Sequence, residues 1–90
     1  MNFLALIGIA ESVQMPEANK SYAILSLNVG KTFADNVNDD VFEIIHIQID
    51  SQQFKSELKQ INKNDIVGIK GHLASQDGHQ ISICERLQVF

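Results

Sequence analysis

Tryptophan is absent from this chain, and tyrosine, cysteine and proline each occur once. A single cysteine, Cys84, excludes an intrachain disulfide framework and a cysteine zinc cluster. It fits a reducing compartment. Without tryptophan, a surface that stacks on flat rings has to be built from the five phenylalanines and Tyr22. Positive charge is scarce as well: seven Lys and Arg stand against eleven Asp and Glu, a formal net charge of -4. That balance argues against a general attraction to polyanions, although contact depends on the local field of one face. Long hydrophobic runs are missing. The apolar stretch 1–10 has no basic lead and is about half a membrane span. These absences predict a soluble, cytoplasmic protein without membrane association. Catalytic signals are lacking too: no nucleophile elbow and no phosphate-binding glycine loop. His46, His72 and His79 fall on different predicted strands without metal-ligand spacing. No cofactor, metal or enzyme activity is expected.

What is present is β-strand periodicity. Ninety residues, 44% of them hydrophobic, make one domain over 1–90. The clearest strand is 41–50. Val41, Ile45, Ile47 and Ile49 point one way; Phe42, Ile44, His46 and Gln48 point the other. The second face is mixed, aromatic to amide, and reaches no acid until Asp50. It is a candidate contact surface.

The remaining chain reads as support for that strand. A first strand is predicted over 2–10, apolar on both faces, so that the second face is either covered or contacts another subunit. Gly8 within it marks a bulge or a close backbone approach. A polar connection spans 11–20. A second strand, 21–30, sets Ala23, Leu25, Leu27 and Val29 against Tyr22, Ile24, Ser26 and Asn28. A loop spans 31–40, with Phe33 as its large apolar residue. The spacing predicts one helix over 51–61, capped by Asp50 or Ser51, burying Phe54, Leu58 and Ile61. Asn62 or Asn64 would supply a left-handed stop. A fourth strand, 65–74, points Val67, Ile69, Gly71 and Leu73 inward. The Asp77-Gly78 pair then turns the chain as a hairpin. A fifth strand, 79–88, is expected to point Ile81 and Ile83 inward. Three strands, a helix and two strands is the order of the OB-fold. The predicted class is therefore all-β with a small helical part, a five-stranded Greek-key β-barrel with one helix between strands three and four.

Several stretches resemble one family. Leu6-Ile7-Gly8-Ile9, Pro16-Glu17, Leu25-Ser26-Leu27-Asn28 through Phe33, and above all Ile61-Asn62-Lys63-Asn64-Asp65-Ile66-Val67-Gly68-Ile69-Lys70-Gly71-His72-Leu73 are similar to the bacterial single-stranded DNA-binding proteins. Phe42 stands where that family has a tryptophan, Gln48 where it often has a phenylalanine, and Asn64 where it has a glycine. The resemblance covers the OB-fold domain, residues 2 to about 73, and not the family's acidic C-terminal tail. It implies a non-catalytic, sequence-tolerant single-stranded DNA-binding protein of replication or repair, acting as a homodimer or homotetramer through strand one. RNA binding is left open. The alternative is an OB module for protein docking or a primosome-type replication accessory.

Single strands are held by stacking bases on aromatic rings and guiding phosphates with cations. Phe33 and Phe42 are the candidate stacking residues, with Tyr22 a lesser one. Ile44, His46 and Gln48 complete the third strand's outer face. Lys31, Lys70 and His72 are the candidate phosphate contacts, ahead of Lys20 and Arg86. Each has an ordinary alternative: an aromatic folded onto the core, or a solvated lysine.

Overall fold

In the computed structural model, residues 2–30 and 42–90 are described, with residue 42 described by its backbone alone. Five strands and one helix follow in the order β1 (Leu4–Gln14), β2 (Tyr22–Gly30), β3 (Phe42–Asp50), α1 (Lys55–Gln60), β4 (Ile66–Gln76) and β5 (His79–Val89). The strands close into a barrel in the order β1-β2-β3-β5-β4. This is the OB-fold, with its short helix between β3 and β4. All ladders are antiparallel except the closing one, where β3 meets β5 in parallel at Ile47–Ser82 and Gln48–Ile83. The closing contact is short, two residue pairs, and joins the two strands that would otherwise be sheet edges.

Alternation builds the interior. Ala23, Leu25 and Leu27 of β2, Ile47 and Ile49 of β3, and Val67 and Ile69 of β4 are buried, and Phe54, Leu58 and Ile61 join them from the helix side. These are the residues whose parity the sequence assigned inward. Asp50 Oδ1 accepts the backbone N–H groups of Gln52 and Gln53, both at 2.9 Å, and so holds the turn that precedes the helix; α1 itself starts after Phe54 without a side-chain cap, so neither Asp50 nor Ser51 caps it as expected. The regular helix is shorter than predicted. Residues 51–54 form turns, and α1 begins at Lys55. Asn64 takes the left-handed conformation at φ 77°, in the turn into β4 and not at the helix end, where Ile61 is already extended. Asn64 N–H and Ala10 C=O bond at 2.8 Å, and Ala10 N–H bonds Asp65 C=O at 2.8 Å, tying this turn to β1.

Two further sequence expectations need correction. First, β1 does not stop at residue 10 but runs to Gln14, through what reads as a polar connection. A bulge between Ala10 and Ser12 shifts its register against β2, so the inward phase passes from Ala10 to Val13. An alternation that changes phase looks like a loop in sequence. Gly8 is the close approach and not the bulge: a Cβ there would sit 2.5 Å from the Asn28 carbonyl oxygen. Second, Ile81 and Ile83 do not point inward. Ile83 pairs with outward Gln48 on one side and outward His72 on the other, while Cys84 is the buried residue of that stretch. Beyond Cys84, the inward phase of β5 resumes at Leu87 and Val89 because β5 slips register against β4 between Lys70 and Gly71, leaving Glu85 as the extra residue. The hairpin itself is as read. Gln76 pairs with His79, and Asp77 and Gly78 both have positive φ, 52° and 79°, which a two-residue turn of right-twisted strands requires.

Candidate nucleic-acid interface

The outer face of β2 and β3 is set by register. Asn28 lies across from Ile44, Ser26 from His46, Ile24 from Gln48 and Tyr22 from Asp50. Because the intervening residues are buried, these side chains all point out of the barrel. Ile44 is an exposed aliphatic, 53% accessible. His46 Nδ1 and Ser26 Oγ are 2.8 Å apart, so one ring nitrogen is oriented by a neighbouring strand. Asn28 donates Nδ2–H to Glu11 Oε1 at 3.2 Å, and its own Oδ1, buried, has no partner among the described residues. Between Tyr22 and Asn28 on β2, and between Ile44 and Gln48 on β3, no outward residue is an acid, a lysine or an arginine. The surface combines apolar contact with hydrogen-bonding side chains.

At the Tyr22 end, the β1–β2 loop adds a hollow of about 120 Å³ lined by Gln14, Met15, Pro16, Glu17, Lys20, Tyr22 and Ile24. Lys20 Nζ sits 5.7 Å from the Tyr22 ring centroid, within cation–π range.

The structure brings Ile44, His46 and Gln48 together on one face, as their parity predicts. His72 joins them indirectly. Gln48 pairs with Ile83, and Ile83 with His72, giving one outward row across β3, β5 and β4. Lys70 is two residues further along β4, beyond the last β3–β5 pair, beside Ala5 of β1 and Arg86 of β5. It is therefore not part of the β2–β3 face. His72 Nδ1 lies 3.1 Å from Glu85 Oε1, so its ring already has an acidic neighbour. Lys31 and Phe33 lie outside the described residues, as does the side chain of Phe42, whose backbone opens β3 opposite Gly30. Ser26, Ile24 and Asn28 were legible as a mixed face but not as partners of particular β3 residues. Ile83, the bridge to His72, was assigned to the wrong face.

Chemistry of other kinds finds little support here. Among the described residues no group of three or more His, Cys, Asp or Glu is placed to hold a metal ion. Cys84 is buried, and burial above all pushes its thiol up to about 11; a backbone hydrogen bond from Arg86 pulls the other way, and the charge of Glu85 adds to the rise. At neutral pH it is a packing residue and not a thiolate. Among the described residues, no helix is long and apolar enough to cross a membrane.

Comparison with solved structures places the barrel among OB-folds. The chain superposes on a small single-stranded DNA binding protein from Mycoplasma pneumoniae with a TM-score of 0.71 and 13% identity, covering 98% of this chain and 92% of that one. It matches the Plasmodium falciparum SSB in complex with ssDNA with a TM-score of 0.70 and 17% identity, over 100% of this chain and 95% of that one. It matches the dimeric N-terminal domain of the PriB protein from Thermoanaerobacter tencongensis with a TM-score of 0.70 and 16% identity, over 99% and 96%. No family model and no curated protein matches the sequence. At these identities the likeness is one of fold, and at that level it bears out the resemblance read from the sequence.

Proposed function

We propose that this chain is a non-catalytic, sequence-tolerant single-stranded DNA-binding module. The observation that carries the reading is the outward β2–β3 face, where Asn28–Ile44, Ser26–His46 and Ile24–Gln48 form three successive uncharged pairs. Fold neighbours that bind single strands give the same barrel a precedent. Bases lie against Ile44 and the imidazole of His46, while Ser26, Asn28 and Gln48 offer hydrogen bonds that any base can use. Phe42 and Phe33 are the proposed stacking rings, and Lys31 is a proposed phosphate contact. Stacking of one base contributes about 1–3 kcal/mol. The acidic balance keeps the long-range attraction weak, so affinity is modest. With about three phosphate contacts, log K falls with a slope near -2 per log salt.

A second copy of the chain is proposed to cover the outer face of β1 and β4. Ile7 pairs with Gly68 and Ile9 with Ile66; the Phe90 ring lies over Gly68. Ile7 and Phe90 are each 66% exposed, with Ile9, Ile66 and Phe3 beside them. A contiguous apolar patch of this kind marks a contact surface. The proposed assembly is a homodimer or homotetramer of cytoplasmic location, serving replication or repair.

Oligonucleotide binding by the variants F42A and H46A tests the nucleic-acid reading. Both are expected to stay folded by circular dichroism and to lose single-strand affinity, F42A by about 5- to 100-fold. Full affinity in both variants would refute the proposed contact face and favour protein docking.

A further inference from the structure

The outward β2–β3 face between Ile44 and Gln48 holds a single histidine, His46. Histidine is the side chain whose ordinary titration falls between about pH 5 and 8. His46 is exposed. Its Nδ1 lies 2.8 Å from Ser26 Oγ, and its Nε2 has no hydrogen-bond partner among the described residues. A serine hydroxyl is both donor and acceptor, and it turns about a single bond. It donates O–H to Nδ1 of a neutral ring and accepts N–H from Nδ1 of an imidazolium ring. Ser26 therefore holds the ring in either charge state, and taking up a proton breaks no contact and moves no strand.

The neighbours decide what that proton does. On β2 the flanking outward residues, Ile24 and Asn28, are uncharged. On β1 the acid beside this row is Glu11, next to Ser12, which pairs with Ser26. Two strand spacings put it roughly 10 Å from His46, and its carboxylate already accepts the Asn28 Nδ2–H. Along β3, Glu43 and Asp50 are roughly 10–13 Å away, and Asp50 is engaged by Gln52 and Gln53. On the β5 side stand His79 in the hairpin, and Glu85 with His72, which face each other at 3.1 Å. Among the described residues none of these acids pairs with His46. Exposed charges beyond about 8 Å are largely screened at physiological salt. A proton on His46 is therefore a net positive charge on a strip that otherwise has none.

We infer that His46 is a proton-operated charge on the strand-binding face. Neutral, it packs against a base; protonated, it also attracts the strand's phosphates, so affinity rises as pH falls. The inference rests on the proposed function and adds regulation to the same face. With a net charge of -4, the chain has little background attraction to mask one added cation. Linkage makes the effect reciprocal: binding the strand draws a proton onto the ring. One more phosphate contact steepens the salt dependence by about 0.7 per log salt.

The test uses oligo-dT of about 30–40 nucleotides, whose bases do not titrate in this range, at about pH 5.5 and pH 8 across a salt series. By anisotropy, the unmodified protein is expected to bind about two- to fivefold tighter at the lower pH, the scale of one exposed ion pair, and with the steeper salt slope. H46Q is expected to lose both differences. H46K is expected to show the steeper slope at both pH values, and H79Q to keep the pH dependence; melting curves check the fold. Calorimetry in buffers of different protonation enthalpy is expected to show proton uptake on binding that H46Q lacks. Equal affinity of the unmodified protein at the two pH values, or an H46Q variant that keeps the difference, would overturn the inference while leaving the β2–β3 reading intact. Absence of binding at both pH values would overturn both.

Discussion

At the residue scale, glycine and cysteine make the most direct predictions. A Cβ on Gly71 would lie 1.9 Å from the Ile83 carbonyl oxygen, a backbone atom that cannot swing aside. Gly71→Ala therefore forces β4 from β5 and is expected to destabilise the barrel by about 1–3 kcal/mol or more, read as a lowered denaturation midpoint. Cys84 predicts a pH effect. Its folded thiol titrates near 11 against an ordinary value of 9.0. Between those values the unfolded chain has lost the proton that the folded chain keeps, so folding takes up a proton and stability falls as pH rises. The contribution is whole below pH 9 and is lost through pH 11; C84A should flatten that part of the stability–pH curve. Cys84 reads in the sequence as a small barrel residue and is one; the role of Gly71 was not visible there. Gly71 was assigned inward by parity, but its closeness to Ile83 depends on a register slip at Glu85 that no local pattern encodes.

At the scale of elements, the legible parts were those that period specifies. The parity of 41–50 alone placed Ile47 and Ile49 in the core and Ile44, His46 and Gln48 outside it. The stripe Phe54, Leu58 and Ile61 was likewise right, because burial at helical spacing needs no knowledge of partners. Phe54→Ala is expected to cost about 3–5 kcal/mol by opening the end of the barrel, with the denaturant midpoint as readout. What escaped the sequence was everything set by pairing between distant strands. The bulge at Ala10–Ser12 hid the second half of β1, and the parallel contact of β3 with β5 decided that Ile83 faces out. The candidate site shares this limit. Its β3 residues were readable, but the separation of Lys70 from them follows from the strand order around the barrel.

At the scale of the whole molecule, two surfaces divide the work. The apolar face of β1 and β4 is proposed to meet another copy, and the β2–β3 face to meet the strand. Replacing Ile7 and Ile66 by glutamate should yield a folded monomer in sedimentation, where the unmodified chain is expected to sediment as a dimer or larger. An unmodified chain that is already a monomer at micromolar concentration would contradict that assignment. The central claim is single-strand binding itself. Its most direct test is fluorescence anisotropy with labelled oligo-dT of about 30–40 nucleotides at two salt concentrations, beside a duplex of equal length. The account predicts saturable binding to the single strand, weakened by salt and absent with the duplex. No binding at low salt, or equal binding to the duplex, would contradict it.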